Sequence, residues 1–108
     1  MSIATVHSNI CGFKHIIQGR REGKVIIIDI ETPCEKIKKM SHLEFSRREA
    51  MDMPIKDNPV MSKAQELQCS SNCLVPCGIM HVSRIEAGLL LESLCKQKGG
   101  LSITFGDE

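Results

Sequence analysis

The sequence predicts a small α+β domain, in which a mostly antiparallel sheet carries helices on one face. Two observations support this fold class. Apolar residues alternate or run continuously through residues 3–30, and helix start signals recur from residue 32 onward. The predicted order is β-β-β-α-α-α-α-β, a three-strand meander followed by helices and a C-terminal strand. At 108 residues the chain is long enough for a single domain, 1–108, with one core.

The first three strands are predicted at residues 3–7, 15–21 and 24–30. Glu22-Gly23 separates the second from the third as a hairpin turn. The third strand contains Val25 and four isoleucines in a near-continuous apolar run, which is typical of a central strand buried on both faces. Asp29 interrupts this run. We interpret it as a polar residue with a partner or at an edge, the alternative being a functional carboxylate.

Two capping boxes predict the first two helices. In Thr32-Pro33-Cys34-Glu35, the Thr32 hydroxyl is expected to accept from the Glu35 amide, with Pro33 at the first helical position. Ser41-His42-Leu43-Glu44 repeats the pattern and predicts a second helix that runs to about Met51 and stops before Pro54.

The remaining elements follow from proline and glycine signals. Asn58-Pro59 opens a third helix that runs to around Cys69, and Pro76 opens a fourth that Gly99-Gly100 ends. Leu101 to Phe105 then alternates as the last strand.

Composition argues against several partners. Three Phe and no Tyr or Trp leave few platforms for stacking bases, and a formal charge of +1 gives no general attraction to phosphates, so we expect no nucleic-acid partner. No stretch approaches the ~20 apolar residues of a membrane span, and no signal pattern opens the chain. We therefore expect a cytoplasmic protein without a membrane partner. The sequence leaves a protein partner and the oligomeric state open.

The six cysteines carry the functional prediction. In a reducing compartment they are expected to be ligands, catalysts or buried thiols rather than disulfides. Four of them stand at the ends of predicted elements, and the meander would bring the Cys11 turn and Cys34 to the same edge of the sheet. Four thiolates suffice for tetrahedral zinc or for an iron–sulfur cluster. We predict a metal site formed by Cys11, Cys34, Cys69 and Cys73, with zinc and iron–sulfur both open.

Two other functions are consistent with the same residues. Cys34 in the first turn of a helix would be favoured as a thiolate, so a thiol–disulfide enzyme with Cys34 attacking and Cys11 or Cys73 resolving is one alternative. A scaffold protein with incidental buried cysteines is the other. Cys77 and Cys95 are interpreted as packing or spare thiols. No acid–base pair, phosphate-binding glycine loop or nucleophile motif stands out, so the question of enzymatic activity stays open.

Histidine and glutamate residues also stand near the predicted elements in the sequence. His7 and His15 flank the Cys11 turn, and we interpret them as surface or strand-paired residues, the alternative being a ligand or its hydrogen-bond partner. Glu86 stands near Gly88 on the fourth helix, and a structural role is favoured over a functional carboxylate.

The chain resembles a family of small, functionally uncharacterised cysteine-bearing proteins of anaerobic bacteria and archaea. The resemblance is carried by Cys11-Gly12-Phe13 after the first strand, by the lone Cys34, by Cys69-x-x-x-Cys73 before Val75-Pro76, and by Ile85-Glu86-Ala87-Gly88-Leu89. It implies that Cys11, Cys34, Cys69 and Cys73 belong together, with Cys77 and Cys95 particular to this chain. It also implies a shorter connection to the last strand than residues 91–100 provide. The family implies no known reaction.

Overall fold

A computed structural model describes residues 1–51 and 54–106 of the chain. The fold is α+β, as predicted, with four antiparallel strands and helices that pack against them. The strands are β1 (Ser2–Ser8), β2 (Phe13–Glu22), β3 (Val25–Glu31) and β4 (His42–Ser46). The α-helices are α1 (Glu35–Lys38), α2 (Arg47–Met51), α3 (Pro59–Glu66), α4 (Val75–Glu86) and α5 (Glu92–Gln97), and Ile55–Asp57 forms one 3-10 turn. None of the described helices is long and apolar enough to cross a membrane.

The sheet is a meander in the order β1-β2-β3-β4, which confirms the predicted arrangement of the first three strands. Ser8 pairs with Phe13 across the first hairpin and Glu22 with Val25 across the second. The prediction that the third strand is central is also confirmed, because β3 lies between β2 and β4. Ile26, Ile27 and Ile28 are at most 5% exposed.

The two faces of the sheet differ in composition. The inner face carries Ile17, Ile28 and Ile30, which belong to the core together with residues of α4 such as Ile79 and Val82. The opposite face is open and carries exposed polar side chains, among them Gln18, which pairs in register with Asp29. Helix packing on one face of the sheet therefore agrees with the predicted architecture.

Two glycines allow α4 to lie close to the sheet. A Cβ atom added to Gly19 on β2 would lie 2.4 Å from Val82 Cγ1, and one added to Gly78 on α4 would lie 2.7 Å from Val6 Cγ2 and 2.9 Å from Ile17 Cδ1. All three separations are shorter than carbon–carbon contact distance. The absence of a side chain at each position is thus a packing requirement.

The helix predicted from Ser41 was wrong over its first half, because residues 42–46 form β4. Leu43 and Phe45 pair in register with Ile28 and Ile26, and the Ser41 carbonyl accepts a hydrogen bond from the Ile30 amide at 2.7 Å. Alternating apolar residues next to a buried strand gain more from the sheet than from a helix.

The capping box that starts α2 lies five residues further along the chain than expected. The Ser46 hydroxyl accepts from the Glu49 amide, and the Glu49 carboxylate accepts from the Ser46 amide, each at 3.0 Å. Helix α2 reaches Met51 as predicted. The predicted stop before Pro54 concerns residues 52–53, which lie outside the described residues.

The first, third and fourth helices differ from the prediction at their ends. Helix α1 begins after Cys34 and lasts one turn, because the chain must return to the sheet as β4. Asn58 caps α3 as predicted, accepting from the amides of Val60 and Met61 at 2.8 and 3.1 Å, but α3 ends at Glu66 and not at Cys69. Helix α4 contains Pro76 in its first turn as predicted.

Helix α4 does not continue to residues 99–100 because Gly88, at φ 82°, closes it with a left-handed turn. Helix α5 then follows as a separate element. The prediction of a strand at residues 101–105 was also wrong: these residues are irregular, and Leu101, Ile103 and Phe105 are 69%, 66% and 84% exposed. The fourth strand of the sheet is β4, which pairs with β3. It comes from the middle of the sequence and not from residues 101–105.

Candidate thiol site

Cys34 lies three residues after the end of β3 and is the N-cap of α1. Its side chain is half-buried and packs against the core. The Cys34 amide donates to Thr32 Oγ1 at 3.0 Å, so the Thr32 hydroxyl accepts from this amide and not from Glu35 as predicted. The hydrogen bond differs from the prediction because α1 begins two residues later than the capping box implied. A four-residue helix also supplies few aligned peptide dipoles, which removes much of the basis for Cys34 as an activated thiol.

His15 lies on the inner face of the sheet and is hydrogen-bonded to the same Thr32 hydroxyl as the Cys34 amide. It is 2% exposed, and its Nδ1 lies 2.7 Å from Thr32 Oγ1. Burial lowers the pKa of His15, so the ring is neutral at pH 7. The Thr32 hydroxyl is thus hydrogen-bonded to the His15 ring while it accepts from the Cys34 amide. The sequence interpretation of His15 as a surface or strand-paired residue missed this role, although its alternation with Ile17 marks the inner face.

Cys69 is positioned by the end of α3. Gln68 adopts a left-handed conformation, with φ 58°, which is uncommon for a residue other than glycine. The Gln68 amide donates to the Gln65 carbonyl at 3.0 Å and the Cys69 amide to the Ala64 carbonyl at 2.9 Å. This pair of bonds is a Schellman motif, which turns the chain sharply at the helix end. It places the half-buried Cys69 against the core.

Cys73 follows one turn later and leads into α4. Its amide donates to the Ser70 carbonyl at 3.0 Å, and its half-buried side chain also packs against the core. Lys36 connects the two chain segments, because its ammonium group donates to the Gln68 carbonyl at 2.8 Å. The connection between α3 and α4 therefore lies beside the connection between β3 and β4.

Cys34, Cys69 and Cys73 pack against the same apolar core, and the hydrogen bond from Lys36 joins their two chain segments. Burial raises the pKa of Cys69, and the neighbouring thiolates of Cys73 and Cys34 raise it further, while the Lys36 ammonium lowers it. Cys34, Cys69 and Cys73 thus form one group, which we call the thiol group.

Cys11 is placed differently. It lies exposed in the turn between β1 and β2, and Gly12 closes that turn with φ 78°. The meander brings this turn to the sheet end where β3 finishes, as predicted, but β2 extends three residues past the Ile16–Glu31 pair. Cys11 takes part in none of the interactions that link the thiol group. Over residues 1–51 and 54–106, no three His, Cys, Asp or Glu side chains are arranged to hold a metal ion.

The two remaining cysteines lie in helices. Cys77 is exposed in the first turn of α4, with its Sγ 3.7 Å from His81 Nδ1, and the same nitrogen donates to the Cys77 carbonyl at 2.9 Å. Cys95 is half-buried in α5. These placements agree with their interpretation as a spare thiol and a packing residue.

The carboxylates of Asp29 and Glu86 have structural partners. Asp29 lies on the open face, 2.6 Å from His42 Nδ1 and 3.1 Å from an Arg20 nitrogen, and the hydrogen bond from His42 is the main cause of its lowered pKa. Glu86 accepts from the Ser2 hydroxyl at 2.7 Å. The structural interpretation of both residues is therefore the better one.

The fold defines a class: a four-stranded antiparallel α+β protein with helices packed on one face of its sheet. Residues 2–98 match DUF6951, a family of unknown function, and the chain belongs to that family. This agrees with the predicted resemblance to an uncharacterised family, while the cysteine set and the anaerobic hosts stay predictions. No curated protein and no solved structure is significantly similar to the chain.

Proposed function

We propose that the protein is a small metal-binding protein of the cytoplasm, which holds zinc or an iron–sulfur cluster through cysteine thiolates. The thiol group supplies three ligands, Cys34, Cys69 and Cys73, and Cys11 supplies the fourth. The observation that carries the proposal is that three free thiols from two distant chain segments pack against the same core, where the hydrogen bond from Lys36 to Gln68 joins the two segments.

The charges in the thiol group favour a cation. Burial and the neighbouring thiolates of Cys73 and Cys34 raise the pKa of Cys69, and the Lys36 ammonium lowers it. A divalent ion or a cluster removes the repulsion, because metal binding releases the thiol protons and replaces like-charge contacts with bonds to the metal. The thiols are free and half-buried, so they are available as ligands yet shielded from bulk water.

Binding requires local movement. The Cys11 turn extends beyond the end of β3, and the side chains of the thiol group must rotate toward a common point. Both movements lie in connections and leave the strand pairing intact, so the metal completes a site that the fold prepares. A bound zinc would contribute to folding stability, and a cluster would indicate electron transfer or cluster delivery.

Purification without oxygen, followed by metal analysis and an absorption spectrum, tests the proposal. We expect about one zinc ion or one cluster per chain, lost in Cys34→Ser and in Cys69→Ser. Cys77→Ser is the matched control, because Cys77 is an exposed thiol outside the thiol group. Metal-free wild-type protein, or full metal occupancy in Cys69→Ser, would contradict the proposal. Circular dichroism of each variant separates loss of metal from loss of folding.

A thiol–disulfide exchange protein is the second candidate. It is favoured by the absence of a ready metal geometry among the described residues. One thiolate would attack a substrate disulfide and a second would resolve the mixed disulfide, so that the protein becomes oxidised and the substrate leaves as two thiols. Cys69 is disfavoured as the first attacking thiol, since burial raises its pKa. Metal-free protein that forms a disulfide within the thiol group on mild oxidation would favour this candidate.

A further inference from the structure

The segment Leu101–Phe105, which we call the tail, has the sequence of a strand but no partner strand in the described structure. Its apolar residues Leu101, Ile103 and Phe105 recur with the period of two that places them on one side of an extended chain. All three are more than 60% exposed. The tail follows Gly99 and Gly100, which both have positive φ, at 80° and 77°, and turn the chain away from α5.

Strand β1 is an edge of the sheet and has none of the usual protections of an edge strand. Its seven residues pair with β2 in an unbroken register, and they include no Lys, Arg, Asp, Glu or Pro. Edge strands commonly carry such residues, or a bulge, to prevent pairing with another chain. The other edge, β4, is shorter and carries the hydrogen-bonded pair His42 and Glu44.

The inner face of the sheet is incompletely covered at β1. Ala4 and Val6 are half-buried, while their cross-strand partners Ile17 and His15 are 0% and 2% exposed. Helix α4 reaches Val6 through Gly78, yet Ala4 and Val6 stay partly exposed. A fifth strand beside β1, with apolar residues on the inner face, would cover both side chains. The tail has that pattern, and neither it nor β1 carries a charged side chain that would oppose pairing.

We propose that the tail of one copy of this chain adds as an antiparallel strand to the β1 edge of a second copy. The pairing is reciprocal: each copy adds its tail to β1 of the other copy. The β1 edges of both copies are then covered in a closed two-fold dimer. The second copy is the occupant because the tail of a single chain lies off its own sheet.

Sedimentation velocity of the full chain over a range of concentrations tests the dimer. We expect a mass of twice 12.0 kDa, dissociating on dilution. Ile103→Lys should yield a monomer, because a charged side chain would enter the apolar layer. Thr104→Lys is the matched control, since its side chain points to the open face of the added strand, and it should remain a dimer. Ile103 is exposed in the single chain, so the variant is expected to fold, which circular dichroism checks.

Hydrogen exchange links the tail to β1. The outward-facing amides of residues 2–8 and the amides of residues 101–105 should be protected in the wild type, and both sets should lose protection in Ile103→Lys. A wild-type monomer at every concentration would overturn the proposal, whether or not its tail is protected. So would a dimer that Ile103→Lys leaves intact. Metal content is read independently in the same samples and does not bear on this result.

Discussion

The sheet with α4 and the region around the thiol group are held together by different kinds of interaction. In the first, continuous strand pairing and the close approach of Gly19 and Gly78 leave one arrangement of the layers. In the second, the Cys34 amide bonds to Thr32 within the β3–β4 connection. A hydrogen bond from Lys36 to the Gln68 carbonyl joins that connection to the one between α3 and α4. Gln68 also stores backbone strain. The layered part is held by its own packing, whereas the thiol region has few such contacts. The proposed metal would therefore stabilise the thiol region more than the layered part.

The largest effect is expected in the layered part, from Gly19→Ala. The new Cβ would lie 2.4 Å from Val82 Cγ1, and relieving this overlap should cost about 2 kcal/mol of unfolding free energy. Gly106→Ala is the matched control, because nothing lies within 4 Å of the added atom there. Urea unfolding of both variants makes the comparison. Equal stability of Gly19→Ala and the control would show that α4 is not tightly packed on β2.

In the thiol region, Thr32→Val should cost about 1–2 kcal/mol, because it leaves the Cys34 amide and the buried His15 ring without their shared partner. Thr32→Ser keeps the hydroxyl and should restore most of the loss. Thermal unfolding measures the stability, and exchange of the Cys34 amide should accelerate in the valine variant alone. Slow Cys34 exchange in Thr32→Val would contradict the assigned hydrogen bond.

A smaller change of opposite sign is expected at Gln68. Glycine adopts a positive φ without steric cost, so Gln68→Gly should stabilise the protein by about 0.5–1 kcal/mol. Gln68→Ala retains the strain and should differ little from the wild type. The bond from Lys36 is made to the backbone carbonyl and is preserved in both variants. Destabilisation by glycine relative to alanine would rule out stored strain at this position.

The smallest effect on stability is expected from pH, to which the two parts respond differently. The pKa of His42 on the open face is raised by hydrogen bonds to Asp29 and Glu44, whereas burial lowers the pKa of His15. The contribution of His42 is therefore complete below its unfolded pKa and is lost as pH rises through the folded value. His15 acts oppositely: as pH falls below about 6.5, its unfolded form takes up a proton that the folded form resists.

Titration of both imidazoles by NMR measures this difference. His15 should titrate at lower pH than His42, and Asp29→Asn should lower the pKa of His42 while leaving His15 unchanged, since Asp29 bonds to His42. Titration of His15 at or above the pH of His42 would contradict its burial.

Local signals predicted the first three strands, because their alternation, turn and apolar run act over a few residues. They failed at β4. Ser41–Glu44 has the sequence of a capping box, but Leu43 and Phe45 pair with Ile28 and Ile26 on the neighbouring strand. The helix ends were misplaced for a related reason. Nothing in the identity of Gln68 predicts a left-handed residue, yet that conformation ends α3 before Cys69.

The candidate site was predictable to the extent that topology decides it. A meander brings the residue after the third strand to the same sheet end as the first turn, and this held for Cys34 and Cys11. The approach of Cys69 and Cys73 to Cys34 depends on how the connection between α3 and α4 crosses that end, which hydrophobic patterning does not specify. The role of His15 could have been found from its place on the inner face of β2.

X-ray absorption at the edge of the metal that copurifies without oxygen tests the central claim most directly. The account predicts a first shell made only of sulfur, at about 2.3 Å if the metal is zinc, with the same shell in Cys77→Ser and its loss in Cys69→Ser. A nitrogen or oxygen shell that Cys69→Ser leaves unchanged, or protein that binds no metal, would contradict it.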